Sequence, residues 1–328
     1  MSPLVSILIP CYNAEPWLAD TLGSVLAQTW THKEIIIVDD GSTDNSLSIA
    51  HSFEGAGIHV FQQDHLGAAA ARNHAFRKSQ GQFIQFLDAD DLLGPDKIER
   101  QITSLLDQPG CIAACAWGRF YGTPENASFE KTPLWTDLAP IDWLVCSYGG
   151  GGMMPVMSWL VPRAVCEAAG PWDESFSLND DGEYFSRVVL ASKGIKFIPQ
   201  ARTYYRCGIP NSLSRAQNPI AWQSLFRSLQ AATSRLLNAE NSPRTRQASA
   251  DSFQWFVYGA YPDYPDLVSK AEAIVRELGG SNARYGGGNV FRTLASIAGW
   301  KFARRVQKLA APIRLSRLLG QGCTTQRM

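Results

Sequence analysis

Apolar, β-prone runs bounded by turn residues recur through the N-terminal part of the chain: Val5 to Ile9, Glu34 to Val38, Ile58 to Gln62 and Phe83 to Leu87. Continuous apolarity, as opposed to alternation, marks strands covered on both faces, which is the habit of a parallel sheet. Between these runs the period lengthens. Leu18, Leu22 and Val25 recur at i, i+4 and i+7 behind Pro16, which can open a helix. A second helix is expected after Asp44 or Asn45, and a third over Ala68 to Lys78 behind Gly67. Strand and helix alternate, so the pattern predicts a doubly wound α/β sheet with ligands gathering at the carboxyl ends of its strands.

Further along, the pattern loosens. Ile98 to Leu106 reads as a helix, Ile112 to Tyr121 as a strand, and Gly149-Gly150-Gly151-Gly152 as a hinge or mobile loop. Trp159 to Pro162 and Lys196 to Ile198 read as strands on either side of a helix over Glu183 to Ser192. From about Pro219 the chain reads helical, broken by Asn241-Ser242-Pro243 and by Tyr261-Pro262-Asp263-Tyr264-Pro265. These boundaries divide it into residues 1–215, with halves 1–100 and 101–215, a helical extension over 216–280, and a tail over 281–328.

Composition adds that the chain is globular: 45% hydrophobic and 18% charged residues are not the balance of a disordered segment. Net charge is zero, yet residues 281–328 carry nine Lys and Arg and no Asp or Glu. Written as a helix, Phe291, Ala295, Ala298, Phe302, Val306, Leu309 and Ile313 share one face, and Lys301, Arg304, Arg305 and Lys308 another. Such a segment, spanning about 289–320, suits the surface of an anionic membrane. It equally suits a helix whose apolar stripe packs on protein, and Pro312 kinks or ends it. The N-terminus lacks the marks of a signal peptide, and no run approaches the roughly 18 apolar residues of a membrane span. Seven scattered cysteines without a CxxC pair suit reduced thiols. The expected location is cytoplasmic, with peripheral contact to the inner face of the plasma membrane, and no nucleic-acid partner is expected.

The chemistry lies at the strand ends. Pro10-Cys11-Tyr12-Asn13 closes the first strand and Asp39-Asp40-Gly41-Ser42-Thr43-Asp44 the second. A carboxylate there can accept from a uracil N–H or a ribose hydroxyl while an aromatic ring stacks on the base. The same residues are also common as Asx-turn and N-cap formers. The fourth strand runs into Asp88-Ala89-Asp90-Asp91, where clustered carboxylates repel unless a cation sits among them. Hard oxygen ligands suit Mg²⁺ or Mn²⁺ carrying phosphate oxygens, and such an ion would neutralise a leaving diphosphate.

These motifs, together with Gly67 and Ala71-Arg72-Asn73, resemble family 2 glycosyltransferases with the GT-A fold, over roughly Val5 to Ser214. The resemblance implies a GT-A type doubly wound mixed sheet, followed here by a C-terminal helical extension. It also implies an inverting enzyme that takes its sugar from a nucleotide-sugar donor, usually a UDP-sugar, with Mn²⁺ or Mg²⁺. The acceptor would be a hydroxyl of a saccharide or lipid-linked molecule, as in cell-surface polysaccharide or glycolipid synthesis. By position, Pro10, Tyr12 and Asp40 would hold the nucleoside with Asp39 beside them, Asp88 would lie near the ribose, and Asp90 would bind the metal. Arg72 either faces the nucleotide or pairs with an acidic neighbour.

The family's second acidic site matches Asn179-Asp180-Asp181-Gly182-Glu183, where Asp181 would be the general base. Glu183, four residues before Arg187, can form a helical pair, and Asp180 and Asp181 can N-cap the helix they open. The family often has a histidine after its Tyr-Arg strand, but Tyr205-Arg206-Cys207-Gly208-Ile209-Pro210-Asn211-Ser212 has none, so the ion would rest on Asp90 and the diphosphate. Trp143, Tyr148, Met153, Met154 and Trp159 are either an acceptor platform or plain core. No G-x-G-x-x-G follows the first strand, which removes a dinucleotide-binding oxidoreductase. The remaining rival is a catalytically silent sugar-nucleotide-binding or scaffold protein, against which Asp90 and Asp181 stand.

Overall fold

This computed structural model describes residues 2–315, apart from residues 56, 210–211 and 213–216 and the side chains of residues 310–315. The strands are β1 (Val5–Cys11), β2 (Lys33–Asp39), β3 (Ile58–Gln62), β4 (Phe83–Phe86), β5 (Leu92–Leu93), β6 (Ile112–Phe120), β7 (Val161–Pro162) and β8 (Ile195–Arg206). The helices are α1 (Leu18–Leu26), α2 (Ser46–Ser52), α3 (Ala68–Lys78), α4 (Lys97–Leu105), α5 (Pro140–Cys146), α6 (Arg163–Ala169), α7 (Asp180–Ala191), α8 (Pro219–Ala239), α9 (Pro243–Ala260), α10 (Pro265–Glu277) and α11 (Asn289–Leu315).

The main sheet has the order β3-β2-β1-β4-β7, with β1 to β4 parallel and β7 antiparallel. Ile7 and Ile9 of β1 pack with Leu18, Leu22 and Val25 of α1, while Leu8 packs on the opposite face with Ala71 and Ala75 of α3. Two covered faces are why the strand reads as an unbroken apolar run. β3 is an edge strand, and of its residues only Ile58 is buried, so the expectation of a fully buried strand there fails. A second sheet, β5-β8-β6, carries the carboxyl end of β8 beside β5.

Three expectations change. Of the strand expected at Trp159 to Pro162, only Val161–Pro162 remains, because a helical turn over Val156–Ser158 runs up to Trp159. The strand foreseen at Lys196 to Ile198 extends to Arg206 alongside β6. The glycine run is wound into a wide helical turn over Ser147–Gly151 that continues α5, with Gly150 at φ 93°.

The extension has its own core, in which Trp222, Phe226, Phe253, Phe256 and Leu267 of α8, α9 and α10 meet. Each of these helices opens on a proline, and the caps Asn218 and Ser242 accept from Ala221 N and Thr245 N. The tail's apolar stripe is not continuous. Gly299, at φ 79°, breaks α11, so Phe291 is buried before the break while Phe302 and Leu309 are exposed after it. The Ile313 side chain and residues 316–328 lie outside the described residues. Among the described residues no helix is long and apolar enough to cross a membrane.

Candidate active site

The carboxyl ends of β1 and β2 lie side by side because the parallel register pairs Cys11 with Asp39. Asn13, in a left-handed turn at φ 47°, stitches the two ends together. Its N–H donates to Ser42 Oγ (3.0 Å), and its Oδ1 accepts from Thr43 N (2.8 Å). Pro10 is buried in β1 opposite Val38.

The two adjacent aspartates do different work. Asp40 Oδ1 accepts from Gln63 Nε2 (2.8 Å) and Leu66 N (2.9 Å), and its Oδ2 accepts from Gly67 N (2.9 Å) and lies 3.0 Å from His65 Nδ1. It is therefore spent on pinning the loop between β3 and α3. Asp39 Oδ2 accepts from Ser42 N (3.1 Å), but its Oδ1 is buried and without a partner. A buried acceptor left unpaired is costly, so that oxygen is the one free to receive a ligand N–H. Tyr12 is 45% exposed and stacks on His65, with centroids 4.1 Å apart and planes at 24°. His65 was not foreseen; its only mark in the sequence is its place two residues before Gly67.

Arg72, on α3, joins the donor side to α7. One terminal nitrogen donates to Asp88 Oδ1 (2.7 Å) and the other to Asp180 Oδ2 (2.8 Å), while the guanidinium lies 4.5 Å from the centroid of Trp172. Of the two alternatives for Arg72, pairing with acidic neighbours is the one the structure contains. The next residue, Asn73, exchanges hydrogen bonds with the Trp172 backbone (2.8 and 2.9 Å) and holds the stacking ring in place.

The acidic strand end does not form a nest of three carboxylates. Asp91 is buried, and its Oδ1 accepts from Arg206 N (2.9 Å), while Arg206 Nε donates to the Asp90 carbonyl (2.8 Å). Burial, then the charges of Asp90 and Asp88, pushes the Asp91 carboxyl well up. With Asp91 turned to β8 and Asp88 to Arg72, the Asp90 side chain makes no hydrogen bond or ion pair with another of the described residues, and burial followed by Asp88 raises it to about 7. No group of three His, Cys, Asp or Glu among the described residues comes together to hold an ion. Two of the three carboxylates at this strand end are engaged by the protein, Asp91 by the Arg206 N–H of β8 and Asp88 by the guanidinium on α3.

Asp181 stands in the first turn of α7. Its Oδ1 accepts from Gly182 N (2.8 Å), and its Oδ2 has no hydrogen-bond partner among the described residues. Burial and the neighbouring Asp180 raise its carboxyl to about 6, against the pull of Arg72. Asn179 occupies the cap position in left-handed geometry at φ 62° without a side-chain cap, while Asp180 Oδ1 accepts from Asp181 N (3.0 Å) in the first turn. A Cβ at Gly182 would meet the Asn179 side-chain amide, which would have to shift to admit it. Glu183 is fully buried and forked by Arg187 (2.9 and 2.8 Å), with Arg235 of α8 at 2.8 Å, so it is committed to structure.

The extension reaches this turn directly. Ser228 Oγ accepts from Asn179 Nδ2 (2.9 Å), and Ser224 Oγ accepts from Ser177 N (2.8 Å) and Leu178 N (3.2 Å). No motif in the sequence marked Ser224, Ser228 or Arg235. Of the proposed acceptor platform, Trp143, Met154 and Trp159 are core, with Trp159 stacked on Phe185 at 5.2 Å, and Met153 is exposed.

Residues 6–157 match the family model described as Glycosyl transferase family 2. That match spans just under half of the chain. Among similar curated proteins, TuaG of Bacillus subtilis (strain 168), provisionally assigned to teichuronic acid biosynthesis, is 43% identical over 40% of this chain and 51% of its own. WfgD of Escherichia coli, a UDP-Glc:alpha-D-GlcNAc-diphosphoundecaprenol beta-1,3-glucosyltransferase, is 40% identical over 31% of this chain and 41% of its own. The chain thus spans about half the length of the curated relatives it matches. Among solved structures, S. aureus TarS residues 1–349 with UDP-GlcNAc superposes at a TM-score of 0.65 and 15% identity, covering 94% of this chain and 91% of that one. The mannosyltransferase PcManGT of Pyrobaculum calidifontis, with GDP-Man and Mn2+, gives 0.53 and 16% identity over 94% of this chain and 88% of its own. At these identities the likeness is one of fold, and the fold is GT-A.

Proposed function

We propose that the chain is an inverting glycosyltransferase that moves a sugar from a UDP-sugar to a hydroxyl of a saccharide or lipid-linked acceptor, in cell-surface polysaccharide or glycolipid synthesis. The observation that carries this is the bridge Asp88–Arg72–Asp180, which fixes the donor-side strand ends against the helix turn holding Asp181, whose Oδ2 has no hydrogen-bond partner among the described residues. The TarS complex with UDP-GlcNAc and the UDP-Glc dependence in the name of WfgD favour uridine nucleotides. The diphosphoundecaprenol-linked acceptor of WfgD favours a lipid-linked one.

In this reading Asp39 Oδ1 accepts from the uracil N–H, and Tyr12 offers a ring face to the base. Asp88 lies toward the ribose, which would draw it from Arg72. The acceptor hydroxyl attacks the anomeric carbon from the face opposite the diphosphate. Asp181 takes its proton as the new C–O bond forms and the bond to the diphosphate breaks. Its raised carboxyl, near 6, suits a base working around neutrality. Asp90 fits a divalent cation: it is a hard oxygen donor with no side-chain partner, its charge resisted by burial and by Asp88. With one protein carboxylate to offer, it would hold Mn²⁺ or Mg²⁺ together with the diphosphate. When bound, the ion neutralises the charge of the departing diphosphate.

The test is a screen of UDP-sugars for release of UDP with Mn²⁺ or Mg²⁺, using wild type, Asp90→Ala and Asp181→Asn. Turnover in wild type that is lost in both variants, with both still folded, supports the reading. Binding of UDP-sugar without turnover by any of them would make the chain a sugar-nucleotide-binding protein instead.

A further inference from the structure

We propose that the outward face of α11 seats this protein on an anionic lipid surface. After the break at Gly299 the helix is clipped to the extension by the side carrying most of its cations. Trp300 packs edge-on against Tyr258 (4.8 Å) and Tyr261 (5.4 Å), and Ala303 is buried. Lys301 pairs with Glu272 (2.7 Å), Arg304 donates to the Tyr285 hydroxyl (2.8 Å), and Lys308 pairs with Asp263. An amphipathic helix docked on its own protein would normally turn its apolar stripe inward. Here the aromatic and cationic side is inward and the apolar side is out.

Phe302 and Leu309, seven residues apart and so on one helical face, are 48% and 78% exposed, and Ile297 ahead of the break is 79% exposed. Single exposed apolar side chains are ordinary, but several on one helix face mark a contact surface. Ile220, also exposed, lies at the same end of the extension. Lys308 holds α11 to Asp263, and the neighbouring Tyr264 hydroxyl donates to Gln217 O (2.9 Å), three residues before Ile220.

Charge decides the occupant. Residues 281–328 hold nine Lys and Arg and no acidic residue, and Arg292 and Arg305 are exposed, Arg305 with its guanidinium 5.5 Å from the centroid of Tyr261. A hydrophobic groove of a partner protein has no need of such a one-signed segment. Lipid headgroups of negative charge are attracted by it while the apolar side chains enter the interface. The inference goes beyond the proposed reaction and does not depend on it.

The test is flotation of the full chain with vesicles of phosphatidylcholine alone or mixed equally with phosphatidylglycerol. The chain should float with the anionic vesicles, less so as salt is raised. The double variant Phe302→Ser/Leu309→Ser should bind them at least about tenfold more weakly, with unchanged circular dichroism and unchanged UDP binding in solution. Failure of the wild type to float with the anionic vesicles, or equal flotation of the double variant, overturns the proposal. So does self-association that the double variant abolishes without any vesicle binding, which would give this face to a second copy.

Discussion

The donor-side strand ends and the turn that opens α7 are joined through Arg72, yet they are built in different ways. On the donor side the ligand-facing groups are placed by short-range geometry: adjacent parallel strands end in register, and Asn13, Ser42 and Asp44 tie the ends together. At α7 the local contacts are the first-turn N–H groups of Asp181 and Gly182 donating to the carboxylates of Asp180 and Asp181, and distant residues add to them. Asn179 is left-handed without a side-chain cap, and the turn is fixed by Arg72 of α3 and by Ser228 and Arg235 of the extension. The strand ends proposed to hold the donor travel with their motif, whereas the turn of Asp181, the proposed base, also depends on elements far away in the chain.

Four experiments press on this contrast. The largest effect is expected from Asp181→Asn, which keeps shape but removes proton-accepting capacity, so transfer should fall about 10²- to 10⁴-fold while UDP affinity stays put. In the wild type, a base raised to about 6 is protonated below that value, so kcat should drop as pH falls through about 6. A rate indifferent to pH there would reassign the base.

Next comes Arg72→Met, which strands Asp88 and Asp180 without their shared cation. Breaking a largely buried pair costs about 3 kcal/mol, readable as a shift in urea midpoint. Burial already raises the Asp180 carboxyl, and without the opposing pull of Arg72 the folded form of the variant binds a proton there more readily. Its deficit should therefore shrink as pH falls through the folded-state value. A stability equal to wild type at neutral pH would mean that the bridge between the two regions carries no load.

The two neighbouring aspartates should separate cleanly. Asp39→Asn keeps the Ser42 contact through its carbonyl but turns a donor toward the uracil N–H, so UDP affinity should fall roughly tenfold or more at little cost in stability. Asp40→Asn cannot accept from every donor it now serves and should cost about 1–2 kcal/mol of stability, with less effect on affinity. Titration calorimetry and urea unfolding of the pair would reverse the assignment if the losses came out exchanged.

The smallest effect is expected from Ser228→Ala, which removes the acceptor of Asn179 Nδ2. The loss should be about 1 kcal/mol of stability. It should lower kcat and leave KM for the donor unchanged, because only the base's turn is loosened. A fall in donor affinity instead would place the extension's influence at the nucleotide.

The sequence alone determined the strands β1, β2 and β4, the helices α1 to α4, the proline-opened helices of the extension, and the identity of the strand-end motifs. In each case the signal is local: an apolar run of strand length, a 3.6-residue period, a proline or a capping residue next to the element it starts. The tertiary structure decided which oxygen of which aspartate is free. Asp39 and Asp40 are adjacent and chemically identical, and only the donors of the β3–α3 loop, contributed from residues 63–67, tell them apart. It likewise decided that Asp91 serves Arg206, that Glu183 is consumed by Arg187 and Arg235, and that α11 turns its cations inward. Those outcomes depend on competition among donors and charges brought together from distant parts of the chain. Nothing in a local pattern records who wins it.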